Sequence, residues 1–204
     1  MTASAIAIGS ARLPHEAAHP YEIGKLGMWL FFAGETMLFG GLMGAFVLLG
    51  ISRGGWGLES AGVNWRLAAV NTVILFISSL MAALAQGAAR VRDSTRARHC
   101  LEAAALFGIL FLAIKGFEYA GDIRGGLAPS VNLFWSFYYL MTGIHVIHLL
   151  AGIVAMVGLA LMMTPDTSAE WLERKLGYVC LYWYFVETVW VGLFALVYLA
   201  PRAK

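Results

Sequence analysis

The stretch LGMWLFFAGETMLFGGLMGAFVLLGI, residues 26–51, decides how this chain reads. It is apolar except for Glu35 and a few small polar residues, and it contains no proline. At about 1.5 Å of rise per residue, a helix of this length crosses a hydrocarbon core roughly 30 Å thick. Working outward, the pattern repeats at Leu67–Ala89, Leu101–Tyr119, Val131–Met163 and Leu176–Ala200. The expected fold is an all-α integral membrane bundle of five transmembrane helices. Residues 1–21 form a polar N-terminal tail and 22–204 the transmembrane domain. The fourth stretch is overlong and should tilt or extend beyond the bilayer.

Composition excludes the main alternatives. Charged residues make up 13% of the chain, against roughly 25% in soluble domains. The deficit runs along almost the whole length, so no soluble domain hangs from a single anchor. A net charge of +2 is too small to suggest a nucleic-acid partner. Cys100 and Cys180 are too few and too dispersed for a disulfide framework or a metal motif, and read as packing residues. The first twenty residues lack a basic start leading into an apolar core, so no cleaved signal peptide is expected.

Short connections punctuate the spans at Gly54-Gly55, at Gly125–Pro129 and at Thr164-Pro165-Asp166. Loop charges orient the bundle. One side holds Arg12, Lys25, Arg90, Arg92, Arg96, Arg98, Arg174 and Lys175; the other holds Arg53, Arg66, Arg124, Arg202 and Lys204. Eight against five places the N-terminus in the cytoplasm and the C-terminus outside, chiefly through the cluster in the 90–98 loop.

Polar residues at membrane depth are the informative ones, because a charge at a helix centre costs on the order of 2.5–3.5 kcal/mol on insertion scales. Glu35 lies near the middle of the first span and Glu187 at a comparable depth in the fifth. Both are expected to tie helices together, against the alternative of handling protons or lipid heads. A neighbouring helix should accept a hydrogen bond from Glu35, with His145 or a backbone carbonyl as candidates. His145 and His148 lie three apart on one helix face. Tyr138, Thr142 and His145 share a polar face that should point inward. Lys115 and Glu118, also three apart near the outer end of the third span, can pair, with a reach of Lys115 to the interface as the equal alternative. A catalytic zinc needs three protein ligands and a di-iron site several carboxylates; no such set closes around the histidines, so no metal is expected. Gly27, Gly34 and Gly41 recur every seven residues, and Gly40 with Gly44 makes a small-xxx-small step; these read as helix-packing positions.

Six stretches carry a resemblance to a known family: Lys25–Glu35 (KLGMWLFFAGE), Met37–Gly41, Asn71-Thr72 with Ser78-Ser79, Lys115–Tyr119 (KGFEY), Thr142–His148 (TGIHVIH) and Tyr182–Trp190 (YWYFVETVW). Taken in order, over about residues 22 to 200, they resemble subunit III of the haem–copper oxidases. Many members of that family have seven helices, and this chain resembles the five-helix form. It also has Tyr184 and Glu187 where the last-helix motif usually has His and Asp. The resemblance implies a non-catalytic subunit of a terminal oxidase in aerobic respiration, multi-pass in a prokaryotic cytoplasmic (inner) membrane. Its direct partner would be subunit I, with subunit II and a small subunit IV beside it. The haem and copper that reduce O2 to water and drive proton pumping would sit in those partner subunits, with no cofactor in this chain. Structural phospholipids and support of proton uptake are further implied roles. An accessory subunit of nitric oxide reductase is the near alternative. A free-standing transporter is the remote one, since neither internal repeats nor proline-broken spans are seen.

Overall fold

The computed structural model describes residues 20–60, 62–164 and 167–200. Five helices follow one another: α1 Pro20–Ser52, α2 Trp65–Arg90, α3 Ser94–Arg124, α4 Leu133–Met162 and α5 Ala169–Leu193, the last running on as a π-helical turn over Phe194–Leu199. A short 3-10 turn, Gly57–Ser60, lies between α1 and α2. All five are long and apolar enough to cross a membrane. The polar tail falls almost wholly outside the described residues, as do Pro165 and Asp166 of the third turn and the charged C-terminal residues Arg202 and Lys204.

Helix ends are set by polar caps that a hydropathy reading misses. Asp93 accepts a hydrogen bond from the Arg96 amide (2.9 Å) and starts α3 well before the apolar stretch begins. The 90–98 loop is thus a correction: only residues 91–93 form a turn, with Arg92 in the left-handed region (φ 61°). Arg96 and Arg98 lie in α3, where Arg98 pairs with Glu102 at 2.8 Å one turn on. Asn132 caps α4 through the Trp135 amide at 2.9 Å. At 30 residues α4 is matched by α3 with 31 and α1 with 33, so its length singles out nothing.

Helices α2, α3, α4 and α5 pack in a ring, and α1 lies against α4 and α5. The α2–α3 seam is lined by small buried side chains, among them Ala68, Ala82, Ala85, Ala97, Ala104 and Ala105. Small residues let backbones approach, and in lipid such contact replaces the hydrophobic gain that water would supply. Trp183 of α5 is the opposite device. Its buried indole fills the space left by Gly108 of α3 and Gly152 of α4, where a Cβ would stand 2.8 and 2.7 Å from ring atoms.

The glycines of α1 do not pack within this chain. A Cβ on Gly27, Gly34, Gly40, Gly41 or Gly44 would meet nothing within 4 Å, and all five are exposed. The helix instead turns Phe32, Phe39 and Phe46 inward at seven-residue spacing, stacking Phe32 on Phe185 and Phe46 on Trp56. One face of a helix cannot present both the large and the small residues of two interleaved seven-residue repeats. Here the phenylalanines take the inner face and the glycines the outer.

Candidate functional site: buried polar junctions

Of the polar residues singled out by sequence, Glu35, His148, Glu187, Lys115 and Glu118 fall into three separate junctions, each joining a different set of helices. The first joins α1 to α4. His148 Nε2 lies 3.0 Å from Glu35 Oε2, close enough for an ion pair yet off the line of a good hydrogen bond. His148 Nδ1 lies 2.9 Å from the Ile144 carbonyl, which can only accept, so Nδ1 carries a proton. With that proton on Nδ1, Nε2 is the nitrogen that faces the Glu35 carboxyl. Tyr182 of α5 donates to the His148 carbonyl at 3.0 Å, and Phe39 sets its ring edge-on to the imidazole. His145, one of the two expected acceptors, is elsewhere: three residues along a helix is a rotation of 300°, enough to carry His148 to the α1 side while His145 stays inside.

His145 is fully buried, stacked on Trp190 and edge-on to Phe111, with neither ring nitrogen hydrogen-bonded to protein. The two histidines therefore serve different places. Around His145, Trp190 Nε1 donates to Thr72 Oγ1 (2.9 Å) and Asn71 Nδ2 donates to the Phe111 carbonyl (3.2 Å), fastening α2 to α5 and α3. The second junction is Glu187 of α5, which accepts from Ser79 of α2. Nearby, Ser78 donates to the Ala104 carbonyl of α3 at 2.7 Å.

The third junction is the most complete. Lys115 is 1% exposed and does not reach the interface. Its ammonium has three protons and three acceptors: Glu118 Oε2 at 3.1 Å, the Tyr138 hydroxyl at 3.0 Å and the Tyr198 hydroxyl. Both tyrosines in turn reach Glu118 Oε1, at 3.0 and 2.9 Å, so the two carboxylate oxygens and the ammonium close a ring. The rings of Tyr119, Tyr138, Trp190 and Tyr198 surround the charge, their centroids 4.8–5.5 Å from Nζ. Three helices meet here, α3 through Lys115 and Glu118, α4 through Tyr138, and α5 through Tyr198 in its π-helical turn.

Tyr198 and Asp122 are members of these junctions that sequence reasoning did not single out. Asp122 lies 3.2 Å from the Tyr138 hydroxyl and is visible in hindsight as the next acidic position after Glu118 on that face of α3. Tyr198 gives no such signal, because only the wider π turn brings it round to the face of Trp190.

Among the described residues, no group of three His, Cys, Asp or Glu side chains is placed to hold a metal ion. The arrangement joins helices through polar bonds at mid-membrane and at one end. Comparison with known proteins matches this chain, over residues 15–201, to the family model for cytochrome c oxidase subunit III. A cytochrome c oxidase subunit 3 from Thermostichus vulcanus is 30% identical over 199 residues, 92% of each chain. A probable quinol oxidase subunit 3 from Staphylococcus epidermidis is 30% identical over 89% of this chain and 90% of its own length. A probable cytochrome c oxidase subunit 3 from Nocardia farcinica is 30% identical over 85% and 86%. With five spans, its interior knitted by polar bonds and a match along nearly its whole length, the chain belongs to the cytochrome c oxidase subunit III family, the accessory membrane subunits of haem–copper terminal oxidases.

Proposed function

We propose that this chain is the non-catalytic subunit III that docks directly on subunit I of a haem–copper terminal oxidase, in a prokaryotic cytoplasmic membrane. Subunit II, and a small subunit IV, complete the assembly. Its role is to hold the catalytic subunit in shape, to bind lipid, and to support proton uptake while the partner subunits reduce O2. The observation that carries this reading is the end-to-end family match, combined with interior polar groups engaged in helix-to-helix bonds. Bacterial relatives named as oxidase subunits support the membrane assignment. The N-terminus lies in the cytoplasm and the C-terminus outside. Support comes from Lys25, Arg90, Arg92, Arg96, Arg98, Arg174 and Lys175, all at the end of the bundle where α1 starts and α2 stops.

The test is to tag this chain in its own organism, solubilise membranes gently, and identify what co-purifies. A haem–copper subunit I with the spectrum of a terminal oxidase is the expected partner. Recovery of the chain with a nitric oxide reductase, or with no haem protein, overturns the reading.

A further inference from the structure

We infer that subunit I docks along the outer side of the α2–α5 seam, through one transmembrane helix that carries a hydrogen-bond donor at the depth of Glu187. The inference rests on the assembly reading above and names the surface used and the chemistry that meets it. On α2, Ser79, Ala83 and Gly87 follow at four-residue steps and so line up along one edge of the helix. Ala83 and Gly87 are exposed, Ser79 is half-buried, and a Cβ on Gly87 would meet nothing within 4 Å. Two successive small-xxx-small steps let a neighbouring backbone come close. Within this chain that approach goes unused.

Glu187 shows what kind of neighbour the row of small residues awaits. It accepts from Ser79, the first member of the row. Its side chain is buried, at 9% exposure, yet Oε1 has no hydrogen-bond partner among the described residues. His145 and Trp183 also hold unpartnered nitrogens, but both are enclosed by the ring, out of reach of a second protein. Glu187 sits at the edge of the ring. The next residue, Thr188, is exposed, and its hydroxyl donates to the Tyr184 carbonyl at 2.8 Å, so its oxygen is left to accept. The seam therefore offers two acceptors, Glu187 Oε1 and Thr188 Oγ1, where no water comes. Lipid tails have no donor to give. A second copy across a two-fold axis would set these acceptors against themselves. A partner helix bearing a serine, asparagine, glutamine or arginine at this depth meets both the acceptors and the close approach.

The experiment places a photo-crosslinking residue at Ala83 or Val191 on this face, and at Leu106 of α3 or Val154 of α4 across the ring, all four exposed. Crosslinking is done in native membranes. Subunit I should be captured from the first two positions and not from the others. Ala83→Leu should lower the haem protein that co-purifies about threefold, the size of one interhelical contact in a membrane, without changing the melting of the isolated chain. Glu187→Leu should lose a similar factor, while Glu187→Gln keeps an acceptor oxygen and should retain the partner. Capture of subunit I from Leu106 or Val154, capture from Ala83 of a second copy, of a haem-free subunit or of no protein, or full recovery with Ala83→Leu, overturns the surface while the assembly stands. Absence of any haem protein from the unaltered preparation overturns the assembly reading, and this surface with it.

Discussion

Helix α1 and the ring formed by α2 to α5 solve the same problem in different ways. The ring closes on a seam of alanines, on Trp183 set into two glycines, and on the saturated Lys115 cluster. Helix α1 meets the ring chiefly through Phe31, Phe32, Phe39 and Phe46, with Glu35 paired to His148. In lipid, apolar burial between helices brings no hydrophobic gain, because the tails are as apolar as the side chains. The placement of α1 therefore depends largely on shape, with the Glu35–His148 junction at mid-span, whereas the ring has several junctions that constrain one another. Redundancy separates the two regions, and each prediction below tries that distinction.

The largest loss should follow Lys115→Met. It leaves Glu118 buried without its cation, and breaking a buried pair on one side costs about 3–5 kcal/mol. Unfolding in mixed detergent and SDS micelles should show this, and adding Glu118→Leu should restore most of it. If the double variant is as unstable as the single, the ring of bonds is not what holds that end together.

Next comes Gly152→Val, which drives a side chain into Trp183 and should cost roughly 1–3 kcal/mol by overpacking. The paired measurement is Gly34→Val, whose outward position in this chain predicts a change within about 0.5 kcal/mol for the purified chain. Equal effects at both glycines would erase the contrast between ring and α1.

The third prediction sharpens the α1 junction. Glu35→Ala strands His148 Nε2 and should cost about 1–3 kcal/mol, appearing as faster loss of oxygen consumption over many turnovers. Glu35→Gln can still donate to Nε2 and should be mild, because separated charges at mid-membrane are costly and favour a neutral pair. Should Gln prove as damaging as Ala, the junction is ionic.

The smallest perturbation is Val91→Cys in the exposed turn between α2 and α3, made with Cys100→Ala. It should leave stability unchanged and resist a membrane-impermeant thiol reagent added outside intact cells. Ready labelling would reverse the bundle.

Much of this was legible in the residues, and unevenly so. Five spans follow from apolar length alone, since hydrocarbon thickness sets a minimum. The polar positions Glu35, Lys115, Glu118, His145, His148 and Glu187 stand out because a charge or imidazole at depth is costly. Their partners do not stand out, because pairing depends on rotation about helix axes and on where α1 leans. That is how His148, and not His145, comes to meet Glu35. The glycines of α1 mislead for a related reason. A seven-residue repeat shows that a face exists but not which way it points, and the phenylalanines of the same helix carry an equal repeat. Tyr198 was hidden by the π turn, which breaks the periodicity that sequence reasoning relies on.

The Lys115 cluster also imposes an order on biogenesis. The three-residue turn at 91–93 lets α2 and α3 enter the membrane as one hairpin, sealed by neighbours close in sequence. Lys115 enters with that hairpin together with Glu118, but its two hydroxyl acceptors arrive later: Tyr138 after 23 residues and Tyr198 after 83. At translation rates of roughly 5–20 residues per second, that last hydroxyl appears on the order of ten seconds behind. During the interval Glu118 is the acceptor at hand, and the ammonium can lean toward the nearer interface, as long cationic side chains near helix ends do. Its withdrawal into the ring of tyrosines then marks completion of the fifth helix, so the nascent chain passes from a loosely tethered intermediate to its final form only when its C-terminal turn has been made.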